Sequence, residues 1–477
     1  MKRLLALVIF TYLSFDTQAQ TIDDYFNKIR NNTAQLTAFF SQMPKGGDLH
    51  NHYSGSIYAE TYIDYVIQKN YYINTNTLVV AAKPDTSNGW VQFSTLIRNG
   101  QMPVYQEKLL QKWSCKDYNG VSYPSDKQFF ETFGGFSIAS RDRLDTGLLE
   151  LKRRAKAEHV SYIETMFTGI PCNSLKSIDT SFNHLLLQAE QNRDETVTAT
   201  LLEKLYNTIL EKNAGSCADS FNTNVVAALH NKLHIDDETF TMRYQNYVGR
   251  TMPPVNVFES LVLNFISADK SPLIVGVNIV APENDDISMR DYWLHMQMFK
   301  FCHGKFPNVK YSMHAGELAL GMVKPEEMSW HINDAVHVAG ANRIGHGVDM
   351  PYEHDCYDLL RYMAEHKIAI EINLYSNEFI LKVKGDKHPF SLYKQFHVPI
   401  VICTDDAGVL RSNLIQQYVL LAKRYKDVSY QDIKKYVYNS IKYSFIEESE
   451  VKEKLKTGLD RDFENFENKI MDINKDK

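Results

Sequence analysis

Eight short β-branched runs, each followed by a longer stretch with apolar residues every three or four positions, narrow the fold of this chain more than any other feature. The runs lie around 46–52 and at "HVSYIETMF" (159–167), "NTNVVAALH" (222–230), "PLIVGVNIV" (272–280), "NVKYSMHA" (308–315), "NRIGHG" (342–347), "KIAIEINL" (367–374) and "VPIVICT" (398–404). Eight strands in βα units close a parallel (β/α)8 barrel, and 477 residues accommodate one with additions. Two additions are expected. About a hundred residues separate the first run from the second, so roughly 70–150 is read as an insertion or lid over one face. From about 409 to 470 the chain reads as extra C-terminal helices, one opening at Ser429 with Asp432 as its capping partner.

The first residues read differently from the rest. Lys2 and Arg3 precede the apolar run "LLALVIFTYLSF" and a small residue at Ala19, which together predict a signal peptide over 1–19 and export to the periplasm or the medium. The remaining 20–477 is then one barrel domain, and no later segment is apolar enough to cross a membrane. With 52 basic against 58 acidic residues, a net charge of -6 and no basic stripe, nucleic acid is not an expected partner. Export also permits one or two disulfides among the six cysteines, with Cys115, Cys172 and Cys217 favoured because they lie in loop-like or inserted sequence. Cys403, inside "VPIVICT", reads as a buried small hydrophobe.

In a (β/α)8 barrel the functional groups gather at the carboxyl ends of the strands. This chain places His50 and His52 after the first run, His314 and Glu317 ("HAGE") after the fifth, His346 ("GHG") after the sixth, and Asp405 and Asp406 ("TDD") after the eighth. The alternate spacing of His50 and His52 sends both imidazoles to one side of a strand. Each pattern alone is weak; together they converge on one mouth. Three imidazoles and a carboxylate suit a zinc ion that keeps one position for water. Glu317 is placed to move protons without ligating, and His346 to orient the attacking water or stabilise developing charge. The reaction class implied is hydrolysis at an electrophilic carbon.

In this order, "PKGGDLHNH", "HAGE", "RIGHG", "SNEFILKV…HP" and "TDD" resemble the metal-dependent adenosine deaminases, and the leader with a long insertion resembles their secreted branch, the adenosine deaminase-related growth factors. The resemblance implies a TIM barrel of the metal-dependent hydrolase type, one Zn2+ per chain, and conversion of adenosine or deoxyadenosine to inosine and ammonia. It matches His50, His52, His314 and Asp405 to zinc ligands, Glu317 to the acid that protonates the purine ring nitrogen, and His346 and Asp405 to groups that hold the attacking water. Asp406 matches the carboxylate that bonds the other ring of the purine. Substrate contacts are expected from Asp406, His52, Ser54, Ala281 and Glu283, the last read either as a contact or as a helix cap. A homodimer through the insertion is compatible with the secreted branch.

Three departures bear on substrate. Ser54 stands where family members commonly carry an Asp near the ribose; "NIVAPEN" places Ala281 or Pro282 where a Gly donates its N–H to the purine; and "INLYSN" lacks the usual Cys-Pro before Ser-Asn. Two alternatives follow: a deaminase of another 6-aminopurine or N6-modified nucleoside, and a binding or signalling protein on a deaminase barrel. His331, His337, His354, His366, His388 and His397 are assigned to helix faces and loops, and Tyr53 and Trp90 to ordinary packing.

Overall fold

Seven of the eight expected runs form strands in the computed structural model, which describes residues 22–84, 88–121 and 123–475. The expected signal peptide lies outside the described residues. Barrel strands β1 (Gly46–His52), β2 (Val160–Met166), β3 (Thr241–Gly249) and β4 (Ile274–Val280) form one parallel run. The second run comprises β5 (Ser312–Ala315), β6 (Arg343–His346), β7 (Ala369–Ile372) and β8 (Ile400–Ile402). The runs join at both seams: Val277 N–H donates to Lys310 O at 3.1 Å, and Asp405 N–H donates to His50 O at 2.9 Å. The result is a closed eight-stranded barrel with strands in chain order.

The third strand is a correction. Segment 222–230 is helical, a π turn over Asn222–Ala227 running into the α-helix Ala228–Lys232. Its buried residues Asn222, Val226 and His230 recur every four positions, which is one helix face. The true strand, "TMRYQNYVG", was hidden by its polar residues, whose partners lie inside the fold: Gln245 Nε2 donates to Glu164 Oε2 at 3.0 Å, and Asn246 Nδ2 to Ser267 Oγ at 2.9 Å.

The insertion after β1 contains a three-stranded antiparallel sheet (Tyr72–Asn74, Val80–Ala81, Trp90–Gln92) and helices Phe93–Arg98, Met102–Lys112 and Ser125–Ser140. Helix Leu144–Ala157 packs on β2, so the added structure ends before it, earlier than the expected 150. At the C-terminal end, Leu414–Arg424, Tyr430–Lys442 and Ser449–Lys475 are helices. Tyr430–Lys442 opens with the expected capping pair: Ser429 Oγ accepts from Asp432 N–H, and Asp432 Oδ2 from Ser429 N–H, each at 3.0 Å. It anchors the barrel's amino end, where Gly47 N–H donates to Ser440 Oγ at 2.6 Å. Cys172 and Cys217 form a disulfide between the loop after β2 and helix Ala214–Phe221; Cys115 is a free thiol, and Cys403 is buried. Among the described residues no helix is long and apolar enough to cross a membrane.

Candidate metal centre and pocket

The carboxyl ends of β1, β5, β6 and β8 bring His50, His52, His314, His346 and Asp405 together. His52 Nε2 lies 3.1 Å from His314 Nε2, and Asp405 Oδ1 lies 3.3 Å from His52 Nε2 and 3.5 Å from His50 Nε2. Donor atoms of His50, His314, His346 and Asp405 all fall within 4.8 Å of one another. Close approach of β1 and β6 depends on Gly345, where a Cβ would stand 2.7 Å from His50 Cε1.

What stands behind each ring sets what it presents. His50 Nδ1 lies 2.7 Å from Glu371 Oε2, and the same carboxylate accepts from Arg343 Nε at 2.6 Å and Ser312 Oγ at 3.0 Å. An acceptor behind Nδ1 keeps its hydrogen there and turns the Nε2 lone pair inward. His314 Nδ1 lies 2.9 Å from Asn278 Oδ1, an oxygen identified by the Ile279 N–H that donates to it at 2.9 Å, so Nε2 of His314 is likewise a free acceptor.

Burial opposes charge on His50, yet Asp405 and Glu371 outweigh it and push its pKa up to about 10. Burial would raise Asp405, but His50 and His52 hold it well below the usual carboxylate range. A cation is therefore favoured here. The Nε2 of His50 is buried without a hydrogen-bond partner, and the converging set is two or three imidazole nitrogens with one carboxylate oxygen. These residues fit a divalent ion of borderline softness such as zinc.

Beside the cluster is a cavity of about 270 Å³. Glu317 and Asp406 line it; both carboxyls are held well above their usual range, first by burial and then by the charge on Asp405. Asp406 Oδ1 has no partner and points close to Gly55, where a Cβ would come within 1.6 Å of it. Ser54 and Ala281 line the wall as expected; Ala281 takes φ +85°, a conformation that suits glycine, and Pro282 lines the wall beside it.

Glu283 does not face the cavity, which corrects its reading as a substrate contact. Its buried carboxylate accepts from Gly316 N–H at 3.0 Å and Glu317 N–H at 2.7 Å and pairs with His331 Nδ1 at 2.5 Å. Bonded to two amides of the "HAGE" loop and to an imidazole, it holds that loop from behind. His331 opens the helix His331–Asp334 and His388 lies in a loop, as expected, and both are buried. Tyr53 packs on Phe167 and donates its hydroxyl to Arg143 O at 2.9 Å, in keeping with a packing role.

The largest surprise in the cavity comes from the insertion: Phe129, Phe130 and Phe133, on helix Ser125–Ser140, form an apolar wall together with Met166 and Val280. Nothing in "KQFFETF" separates these rings from ordinary core. The supporting Asn377 and His388 were visible only as part of the "SNEFILKV…HP" motif, and Glu371 and Arg343 carried no signal of their own.

Residues 261–461 match the adenosine deaminase family model. The adenosine deaminase of Clostridium perfringens is 30% identical over 152 residues, 31% of this chain, and the chain spans about two fifths (41%) of that relative's length. Among solved structures, the N6-methyl-AMP deaminase of Arabidopsis thaliana superposes with a TM-score of 0.54 at 17% identity, over 89% of this chain and 98% of that one. A zinc-bound amidohydrolase from Burkholderia ambifaria superposes with a TM-score of 0.55 at 15% identity, over 91% and 94%. Both likenesses establish the fold, a TIM barrel. The matched segment carries His314, Glu317, His346 and Asp405 at the ends of β5, β6 and β8, and over these residues the chain is similar to the adenosine deaminase family.

Proposed function

We propose that the protein is an exported, zinc-dependent hydrolytic deaminase that converts adenosine or deoxyadenosine, with water, to inosine and ammonia. The observation that carries this reading is the juxtaposition of a converging His and Asp donor set with a buried, protonation-prone Glu317 in one cavity. Held by His50, His52, His314 and Asp405, a zinc ion would supply Lewis acidity and an activated water. Glu317, whose carboxyl burial and then the charge on Asp405 hold well above the usual carboxylate range, gives its proton to the purine ring nitrogen beside the amino-bearing carbon and makes that carbon electrophilic. Asp406, also protonation-prone, donates to the other ring. The apolar wall excludes water and packs against the nucleoside. The leader sequence and the Cys172–Cys217 disulfide support export.

A second reading, an N6-modified or otherwise altered aminopurine nucleoside, is favoured by Ser54 in the place of a ribose-binding carboxylate and by the phenylalanine wall. In either case the cavity argues for a nucleoside over a nucleotide: no Lys or Arg is among its described lining residues, so a phosphate would enter without a counter-charge. Ammonia release from zinc-loaded protein is to be compared for adenosine, deoxyadenosine, AMP, N6-methyladenosine and N6-methyl-AMP. We expect turnover of at least one nucleoside, kcat/KM for its nucleotide at least about 10-fold lower, and loss of about 100-fold or more in kcat for Glu317→Gln. Zinc binding without turnover of any panel member would instead support a binding protein.

A further inference from the structure

Resting on that reading, we infer that Asn377 and His388 are positioning residues that fix the tautomer of His346, so that its Nε2 meets the reacting centre as a hydrogen-bond donor and not as a metal ligand.

The chain of bonds starts from a group with one possible role. Phe390 N–H, a backbone amide, donates to His388 Nδ1 at 3.1 Å, so Nδ1 is unprotonated and the hydrogen sits on Nε2. His388 Nε2 lies 3.1 Å from Asn377 Oδ1 and donates to it, which fixes the amide's orientation. The Asn377 Nδ2 group then donates to His346 Nδ1 at 2.9 Å. With Nδ1 accepting, the neutral His346 ring carries its hydrogen on Nε2. That Nε2 is buried and has no partner in the protein. Glu317 Oε1 is 3.5 Å from Nδ1, a contact that an accepting nitrogen tolerates best when the carboxyl is protonated. His388, Asn377 and His346 are all buried, so water offers the chain no competing partner.

His346 is therefore the inverse of its neighbours. Glu371 behind His50 and Asn278 Oδ1 behind His314 are acceptors, and they turn lone pairs inward; an amide donor behind His346 turns a hydrogen inward. Although His346 lies in the cluster of donor atoms, a nitrogen that bears hydrogen has no lone pair for an ion. Its N–H is placed to hold an attacking oxygen or the charge that develops on the reacting centre.

The test is twofold. In 15N-histidine-labelled wild-type protein, with the His346 resonances assigned by His346→Gln, we expect a pyridine-type Nδ1 and a protonated Nε2, both without metal and with zinc. Asn377→Asp places an acceptor behind both rings and should move the hydrogen of His346 to Nδ1. In that variant kcat is expected to fall about 100-fold, with KM and zinc stoichiometry little changed. His388→Gln preserves an acceptor and a donor in series and should keep most activity; His388→Leu should not. A wild-type spectrum with the hydrogen on Nδ1 overturns the inference, whether or not any variant folds, and so does full activity in Asn377→Asp with an inverted tautomer. Failure of wild type to deaminate any nucleoside would count against the proposed function and leave the tautomer assignment to the spectrum.

Discussion

At the scale of single residues, the donor centre depends as much on what is missing as on what is present. Gly345 lies between β5 and β7 on β6, and the space its absent Cβ leaves is filled by the His50 ring. A methyl at this position would sit 2.7 Å from Cε1 and 2.9 Å from Nδ1 of a ring that is locked from behind by Glu371. Gly345→Ala is thus expected to displace His50 and to weaken zinc binding about 10-fold or more, read by metal titration of the folded chain. Unchanged affinity would mean that β1 and β6 can separate freely. His346 and Asp405 add to this picture: both hold left-handed backbone conformations, at φ +69° and +62°, which bulky residues adopt only where surrounding structure imposes them.

Between elements, a buried ionic chain crosses the barrel interior below the site. Arg343 on β6 donates to Glu371 on β7 and to Glu164 on β2, each at 2.6 Å, and Glu371 passes the contact to His50 on β1. Burial would raise the pKa of Glu371, but Arg343 and then His50 bring it from 4.5 down to about 2. Because the folded-state value is depressed, the stabilisation is complete above the ordinary carboxylate range and is lost as pH falls from 4.5 toward 2. The unfolding midpoint of metal-free wild type should therefore exceed that of Glu371→Gln at neutral pH, with the gap narrowing through that acidic window. A gap independent of pH would show that Glu371 stabilises through shape alone.

Viewed as a whole, the molecule is a barrel whose mouth is finished by a segment that does not belong to the barrel. Helix Ser125–Ser140 lays Phe129, Phe130 and Phe133 over the cavity and is itself held against helix Ala59–Gln68, where the rings of Phe136 and Tyr62 stack at 5.0 Å. Phe133→Ala removes part of the wall and leaves the donor centre intact, so KM for a nucleoside should rise about 10-fold with kcat changed far less. Steady-state kinetics on the zinc-loaded variant decide this; an unchanged KM would assign the insertion a role away from substrate.

The amino-acid sequence by itself determined the barrel class and the identities at its mouth. Both follow from local rules: period-2 alternation puts His50 and His52 on one side of β1, and a βα chain delivers its strand ends to one face. Tertiary structure alone decided the rest. β3 was concealed because the barrel interior accepts Gln245 once Glu164 satisfies it, and the helix-facing side accepts Asn246 once Ser267 does, while the apolar look of 222–230 fits a helix face equally well. Glu283 looked like a substrate contact until the fold set His331 and two loop amides against it. The phenylalanine wall, and the acceptor or donor behind each imidazole, arise from contacts such as Glu371 with His50 across 321 residues. Local pattern encodes which residues reach the strand ends; the hydrogen each nitrogen carries is set by partners that only folding brings into contact.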